Sequence, residues 1–234
     1  MRVAIMQPYF LPYIGYFQLM AAVDVFVIYD EVEFTKKGWI NRNRILMNGA
    51  PEMVSLPLKK DSDYLDIVQR KLSDDFNEQS TKLLRKVEGC YKKAPFFAET
   101  IKALEEILSH KSSNLFEFLH HSIAVVSREI GLSTRIVVSS EVEGIKPHLT
   151  GQDRVINLCR LIGASEYINP IGGLSLYSKA VFEENGINLM FHKIQALHYQ
   201  QFNNEFVPNL SILDNMMFQN KLELTQSLAK FDLL

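Results

Sequence analysis

Two short, almost wholly apolar segments near the start of the chain, Val3–Met6 and Val25–Tyr29, constrain the fold more than any other feature. A strand with one face in water alternates apolar and polar residues, whereas a continuous apolar run is typical of a strand buried on both faces. The run Gly15–Ala22 between them is apolar and predicts a short helix. Two buried strands joined by a helix predict a parallel βαβ unit.

The rest of the chain predicts further strands and helices. A hairpin-like pair of strands is expected on either side of the turn signal Asn48-Gly49. Apolar residues at helical spacing then run from about Asn77 to Ile130. The remaining expected segments are the hairpin strands Asn43–Met47 and Met53–Leu58, the later strands Arg135–Ser139, Tyr167–Asn169 and Asn188–His192, and the helices Thr150–Ile162 and Lys179–Asn185. This order predicts an α/β fold with a mainly parallel sheet and an inserted helical segment.

The chain of 234 residues has no repeat, low-complexity tract or Gly/Ser-rich linker. Its length fits one large domain. We therefore predict a single α/β domain over residues 1–234, in which residues from about 76 to 130 are a candidate helical subdomain.

Composition narrows the classes of function. Lys and Arg total 25 against 27 for Asp and Glu, so no excess of positive charge attracts nucleic acid, and none is expected as a partner. No segment approaches the ~20 apolar residues of a membrane span, so no membrane insertion is expected. The first residues show no leader pattern, and we expect a cytoplasmic protein. Cys90 and Cys159 lack a metal-ligand spacing, so we expect reduced thiols and no metal site.

The ends of the predicted strands are polar or glycine-rich, whereas the strands themselves are apolar. In an open parallel sheet, ligands bind at the carboxyl ends of the strands. We count Met53–Leu58 among these strands, so its end joins the proposed site. Asp30 and His192 are candidate catalytic bases. The candidate substrate-binding residues at the strand ends are Gln7, Tyr9, Lys59, Lys60, Asn169, Gly172 and Gly173.

The loop after the first strand is the sharpest of these features. Gly15 and Tyr16 lie where the loop opens a helix, whose free N–H groups and positive dipole end favour an anion. This placement resembles the H-x-G-H element of nucleotidyltransferases and the start of HUP-like folds, although Pro12 or Tyr13 and Tyr16 stand where histidines would be expected. The alternative is a loop whose aromatic residues only pack the edge of the sheet.

One segment of the chain is densely basic, and it contains the single tryptophan. Arg binds phosphate or carboxylate with paired hydrogen bonds, and Asn suits sugar hydroxyls. Because the segment continues into a strand, two of its four last residues are expected to face inward. The alternative is a solvated basic loop. The candidate ligand-binding residues here are Asn41, Arg42, Asn43 and Arg44.

The chain resembles the WbqC-like proteins in several strings that span nearly its whole length. The strings are Met6–Gln18, Asp24–Asp30, Gly38–Leu46, Leu56–Lys60, Tyr167–Leu174 with Leu176-Tyr177, and Leu210–Asp214. The resemblance implies a link with bacterial surface polysaccharides, since members are associated with such gene sets. It also implies glycine or aminoacyl transfer to an amino sugar, an activity ascribed to some members.

These observations predict a transferase that adds an acyl or aminoacyl group to a nucleotide-linked amino sugar in O-antigen or related polysaccharide biosynthesis. The expected partner is a small nucleotide or nucleotide sugar, held by the helix end at Gly15 and by the cations. ATP and magnesium would be required if the donor carboxylate is activated in place. Two alternatives stay open, a nucleotidyltransferase-like enzyme and a noncatalytic nucleotide-sugar-binding protein. The sequence leaves the oligomeric state undefined.

Overall fold

The two apolar segments at the start of the chain form neighbouring parallel strands, as predicted. A computed structural model describes residues 1–146, 148–203 and 205–234. In it, strands β1 (Arg2–Met6) and β2 (Val25–Ile28) pair in parallel and are joined by helix α1 (Ile14–Ala21). Every residue of β2 is buried, which explains its continuous apolar sequence.

An antiparallel hairpin follows, in which β3 (Arg42–Met47) pairs with β4 (Ala50–Ser55). Asn48 and Gly49 at its tip both have positive φ, as the Asn-Gly signal for this turn predicts. The hairpin is a two-stranded sheet of its own, so the prediction that Met53–Leu58 adds a strand to the main sheet was wrong. The tight turn returns β4 directly onto β3, and Lys59 and Lys60 therefore do not follow a strand of the main sheet.

Three helices form the insertion, α2 (Phe76–Tyr91), α3 (Phe97–Leu108) and α4 (Leu115–Glu129), which confirms the helical segment predicted there. Gly131, with φ of 78°, lies just after the last of them, where a left-handed residue commonly ends a helix. No helix among the described residues combines the length and the apolar character needed to cross a membrane.

The second half of the chain alternates strands and helices, as expected, and then adds three elements. The alternating part is β5 (Arg135–Val138), α5 (Gly151–Ile162), β6 (Glu166–Pro170), α6 (Lys179–Glu184) and β7 (Asn188–Ile194). The last three are α7 (Ile212–Phe218), α8 (Lys221–Leu228) and the short β8 (Phe231–Leu233). Only β8 runs antiparallel to its neighbour in the six-stranded sheet, so the sheet is mainly parallel.

The order of strands across the sheet is β5-β2-β1-β6-β7-β8. The chain starts in the middle of the sheet at β1 and adds β2 and then β5 on one side. It then crosses back to the other side of β1, where it adds β6, β7 and β8 in turn. The point where the direction reverses lies between β1 and β6, which pair in parallel. In open α/β sheets the carboxyl ends of the strands at such a point border a crevice that binds ligands.

Helices cover both faces of the sheet. On one face, α1, the inserted helices, α7 and α8 pack with sheet residues such as Ala4, Phe26 and Ile168 in one core. On the other face, α5 and α6 pack against residues such as Val3 and Tyr167. The sheet thus has an apolar layer on each side, and the polar ends of its strands remain at the edge.

Candidate functional site

A cavity of about 440 Å³ opens at the reversal point of the sheet, and we call it the switch-point cavity. Its floor comes from the carboxyl ends of three strands, with Met6 at the end of β1, Pro170 at the end of β6 and Ile194 at the end of β7. The other lining residues are Tyr9, Pro12, Tyr13, Trp39, Asn43, Arg44 and Asn209. This position is the one at which the fold predicts a ligand.

The loop between β1 and α1 forms one wall of the cavity and is held from two sides. From the hairpin, the Asn43 side-chain amide donates to the carbonyls of Phe10 at 3.1 Å and Leu11 at 2.7 Å. From the start of α7, the Ser211 hydroxyl donates to the Leu11 carbonyl at 2.9 Å. Leu11 has a positive φ of 43°, so these contacts hold a backbone conformation that leucine rarely adopts.

Gly15 serves the packing of the cavity wall. A Cβ atom there would lie 2.3 Å from Ile194 Cδ1 and 2.6 Å from Tyr13 Cε2, which is far inside van der Waals contact. Both neighbours line the cavity. Gly15 therefore allows two wall residues to approach the first turn of α1, whereas its position in the sequence predicted a contact with the ligand.

Arg44 is the one charged residue among the described residues that line this cavity. Its guanidinium lies 5.2 Å from the centre of the Trp39 ring and donates to the Asn209 carbonyl at 3.1 Å. The Nε atom is buried and has no hydrogen-bond partner, and no described carboxylate forms an ion pair with this side chain. The cavity wall therefore carries a positive charge that no described carboxylate neutralises, which suits an anion.

Aromatic residues form much of the remaining wall. Trp39 is 41% exposed, which is unusual for the largest apolar side chain, and its ring lies beside Arg44. Burial raises the pKa values of Tyr9 and Tyr13, so both hydroxyls stay protonated and neutral at physiological pH. The cavity thus combines ring faces, neutral hydroxyls and one cation. This combination suits a ligand that has a ring and an anionic group.

Of the residues proposed from sequence, Tyr9, Asn43 and Arg44 line the cavity. The structure places the candidate base Asp30 elsewhere, fully buried at the end of β2. Its carboxylate accepts hydrogen bonds from the Ser139 hydroxyl at 2.6 Å and from the Ser140 hydroxyl at 2.7 Å. These bonds join the end of β2 to the short turn after β5, so both carboxylate oxygens are already engaged.

His192, the other candidate base, lies on β7 with only 3% of its surface exposed. Its ring packs 4.8 Å from that of Phe231, and its Nε2 atom has no hydrogen-bond partner. Burial lowers its pKa to about 4, so the imidazole is neutral at physiological pH. It does not line the switch-point cavity.

Tyr16 and Gln7 also lie off the cavity wall. Tyr16 is 2% exposed and packs its ring against Phe26, with centroids 5.0 Å apart, and against Tyr9 at 5.7 Å. Its hydroxyl has no hydrogen-bond partner. Gln7 is half-buried just after β1. Tyr16 therefore supports the wall residue Tyr9 from behind.

The remaining candidate residues of the basic segment, and the two lysines after β4, lie off the cavity wall. The Arg42 guanidinium donates to the carbonyls of Gly38, at 2.9 Å, and Lys37, and so closes the loop before β3. The Asn41 amide donates to the Leu56 carbonyl at 2.9 Å across the base of the hairpin. Lys59 pairs with Asp74 at 2.5 Å, and Lys60 is exposed.

The glycine-rich segment after β6 borders the cavity through Pro170. Asn169 is buried, and its side chain accepts from the Tyr167 hydroxyl at 3.1 Å and donates to the Pro170 carbonyl at 3.0 Å. A Cβ atom on Gly173 would lie 2.0 Å from Asn169 Nδ2, so this glycine is required by the buried amide. Gly172 is exposed, with open space beside its Cα.

Sequence reasoning did not assign several wall residues to the site. The omitted residues are Met6, Pro12, Tyr13, Trp39, Pro170, Ile194 and Asn209. Trp39 and Tyr13 could have been predicted, because Trp39 lies in the basic segment and Tyr13 lies in the loop after the first strand. Asn209 could not, because it comes from the loop before α7, which is not a strand end. Within the described ranges, no group of three or more His, Cys, Asp or Glu side chains is placed to hold a metal ion.

Comparisons with known proteins agree with the resemblance seen in the sequence. The model of the WbqC-like protein family matches residues 7–226 of the chain. An uncharacterized protein of Mycobacterium tuberculosis is 31% identical over 215 residues, which cover 91% of each chain. No solved structure matches the chain significantly.

Proposed function

We propose that this chain, which belongs to the WbqC-like protein family, is a transferase that adds an acyl or aminoacyl group to a nucleotide-linked amino sugar. The switch-point cavity is the ligand site in this proposal, and the observation that carries it is Arg44. Its charge faces the cavity beside Trp39 without a carboxylate partner among the described residues. A role in bacterial surface-polysaccharide biosynthesis is part of the proposal and follows from the family resemblance.

Each part of a nucleotide sugar has a matching group on the wall. Arg44 would hold a phosphate oxygen through the terminal nitrogens of its guanidinium. Trp39 offers a ring face to the base or to a sugar. Tyr9 and Tyr13, which stay protonated, offer hydroxyls to polar groups of the ligand.

Acyl transfer to an amine requires a neutral amine, an activated carbonyl and hydrogen-bond donors for the developing oxyanion. The protonated tyrosine hydroxyls and the Arg44 guanidinium are the donors available at the cavity. No carboxylate or imidazole lines the described wall, so the assignment of Asp30 or His192 as the base is not supported by position. In this proposal the cavity contributes mainly binding, orientation and oxyanion stabilisation.

The test uses two arginines of one strand as a matched pair. Arg44→Gln removes the charge from the cavity, whereas Arg42→Gln removes the same charge from a side chain that only closes a loop. With UDP and UDP-N-acetylglucosamine as probes, we expect wild type to be stabilised in thermal-shift titrations by ~2.7 kcal/mol at a hundredfold excess over Kd. Arg44→Gln should lower affinity at least tenfold, since a hydrogen bond to a charged group contributes ~1.5–3 kcal/mol.

Arg42→Gln should bind both probes as wild type does. The proposal is contradicted if neither nucleotide shifts the melting curve of wild type, or if the two substitutions weaken binding equally. The strand order of the sheet is also compatible with a nucleotidyltransferase-like enzyme. Such an enzyme would release pyrophosphate from a nucleoside triphosphate. Binding without turnover with any activated donor would instead indicate a noncatalytic nucleotide-sugar-binding protein.

A further inference from the structure

A second cavity of about 470 Å³ adjoins the first, and we call it the adjoining cavity. The two share the lining residues Tyr13, Ile194 and Asn209, so they are neighbouring chambers of one depression. No charged side chain lines the adjoining cavity among the described residues, whereas Arg44 lines the switch-point cavity. The residues that line only the adjoining cavity are Ile14, Gln195, Ala196, Leu197, Tyr199, Phe206, Pro208, Leu210 and Asn215.

Phe206 is an aromatic residue of this wall whose position is fixed by its neighbours. The centre of its ring lies 5.0 Å from that of Tyr199, at an interplanar angle of 76°, and 4.8 Å from that of His198. Phe206 is half-buried, and two other rings therefore support it where it borders the cavity. A supported aromatic ring in a chamber without charged side chains suits a ligand group that is flat, aromatic and neutral.

Asn215 adds a buried polar group to the same wall. The residue is 3% exposed, and its side-chain amide donates to the Gln219 Oε1 atom at 3.0 Å. The Gln219 amide in turn donates to the Ser227 hydroxyl oxygen at 2.8 Å, so Asn215 is held in place from behind. The amide oxygen of Asn215 accepts from no described donor and is not sealed inside the protein. Since the cavity is the open space that Asn215 lines, a ligand with an N–H group can pair with this oxygen there.

We propose that the adjoining cavity holds the base of the nucleotide whose phosphates lie at Arg44 in the switch-point cavity. The inference rests on the proposed function and makes it more specific. A nucleotide carries its base on C1′ and its phosphates on C5′ of the ribose, so the ribose separates the two groups. The ribose would lie at the shared residues Tyr13, Ile194 and Asn209, and Trp39 would remain for the transferred sugar.

A nucleobase matches the adjoining cavity better than an acyl chain does. Each of the four RNA bases is aromatic, is uncharged near neutral pH and carries an N–H group that Asn215 can accept from. Each also has a ring face that can stack on an aromatic side chain such as Phe206. An acyl chain would use the apolar wall, but it has no donor for the Asn215 oxygen and no ring for Phe206.

The test compares ligands that differ only in the base. UMP, CMP, AMP and GMP are titrated calorimetrically beside ribose 5-phosphate, which has a hydroxyl group in place of the base. We expect wild type to bind at least one of these nucleotides about tenfold or more tightly than ribose 5-phosphate. Phe206→Ala should lower the affinity for that nucleotide about fivefold or more, which is the effect of losing an aromatic partner of a stacked base. Its affinity for ribose 5-phosphate should be unchanged, which shows that the rest of the site is intact.

Trp39→Ala is the matched control, because it removes an aromatic ring from the switch-point cavity alone. It should change the affinities for the nucleotide and for ribose 5-phosphate by the same factor and so keep the preference for the base. The inference is overturned if ribose 5-phosphate binds as tightly as every nucleotide, if no probe binds, or if Trp39→Ala removes the preference. Arg44→Gln separates the two proposals, since it should weaken the nucleotide and ribose 5-phosphate alike. That weakening without any preference for a base would support the proposed function and contradict this inference.

Discussion

Neighbouring residues of one strand can have quite different roles, and Arg42 and Arg44 on β3 illustrate this. The pleat directs Asn43 and Ile45 into the core and leaves the two arginines on the other face. Only Arg44 reaches the cavity, because the carbonyls of the preceding loop engage Arg42. The sequence predicted a basic ligand-binding segment, and the structure places Asn43 and Arg44 of that segment on the cavity wall. The sequence could not separate the two arginines, because the difference lies in the path of the loop before the strand.

The buried imidazole of His192 predicts a pH dependence of stability. Burial lowers its pKa from the ordinary 6.5 to about 4. Above pH 6.5 neither the folded nor the unfolded state protonates this group, so its effect is absent there. Between pH 6.5 and 4 the unfolded state binds a proton that the folded state does not, and folding should lose on the order of 3 kcal/mol over this range.

The measurement is the free energy of unfolding by urea at intervals from pH 7.5 to 4, on the order of ten points, for wild type and His192→Gln. The loss on acidification should be smaller in the variant. Burial also lowers the pKa of His110, which acts in the same direction, so His110→Gln serves as the comparison. If the curves of wild type and His192→Gln run parallel over the whole range, His192 is not the group responsible.

Asp30 shows what a strand-end rule can and cannot predict at the scale of one residue. Its place at the end of β2 follows directly from the apolar run before it. The hydroxyls that engage it come from Ser139 and Ser140, about 110 residues later in the chain. Ser139 and Ser140 meet Asp30 because β5 lies beside β2 in the sheet. These hydrogen bonds could therefore be predicted only once the order of the strands was known.

At the scale of elements, the hairpin and the loop before α1 form one unit. The Asn43 amide fixes the loop through two carbonyls, and Arg44 on the same strand lines the cavity that this loop encloses. The Phe10 N–H also donates to the Ile40 carbonyl at 3.0 Å. The hairpin therefore determines the shape of the cavity although it lies outside the main sheet.

Asn43→Ala should separate the hairpin from the loop. It removes the side-chain donor of the Phe10 carbonyl and leaves the Leu11 carbonyl with Ser211 alone. An unsatisfied buried group costs on the order of 1–3 kcal/mol, so the melting temperature should fall clearly. Asn41→Ala is the matched control, since it removes one half-buried contact inside the hairpin. It should cost ~1 kcal/mol and leave nucleotide affinity intact. Equal losses of stability and of UDP affinity in the two variants would show that Asn43 has no special role at the cavity.

Most helices and strands could be predicted from local sequence, but the way in which the strands pair with one another could not. Apolar runs predicted β1, β2 and β7, and the Asn48-Gly49 signal predicted the hairpin. The short strand β8 was missed, because three residues at the end of the chain carry too little pattern. The hairpin's separation from the main sheet was also missed, since a strand's partners are not encoded in its own residues.

At the scale of the whole molecule, one core joins the inserted helices to the sheet. Val87, Leu104 and Phe118 from the three helices belong to the same buried cluster as Phe26 of β2 and Ile168 of β6. Polar contacts cross the same boundary. The Thr100 hydroxyl donates to the Met216 carbonyl at 2.9 Å, and the Phe96 N–H donates to the Met217 carbonyl at 3.1 Å.

This shared core predicts that residues from about 76 to 130 unfold together with the sheet rather than as a separate subdomain. In urea, far-UV circular dichroism reports mainly on the helices, and the fluorescence of Trp39, the single tryptophan, reports on the cavity wall. The two probes should give one midpoint.

Ile107→Val, in the buried face of α3, should move both midpoints equally, with a cost of ~0.5–1.5 kcal/mol. The exposed Lys102→Ala on the same helix should move neither by more than ~0.5 kcal/mol. Two separate transitions, with Ile107→Val displacing only the one seen by circular dichroism, would show that the helical segment folds by itself and that the sheet with its cavity does not depend on it.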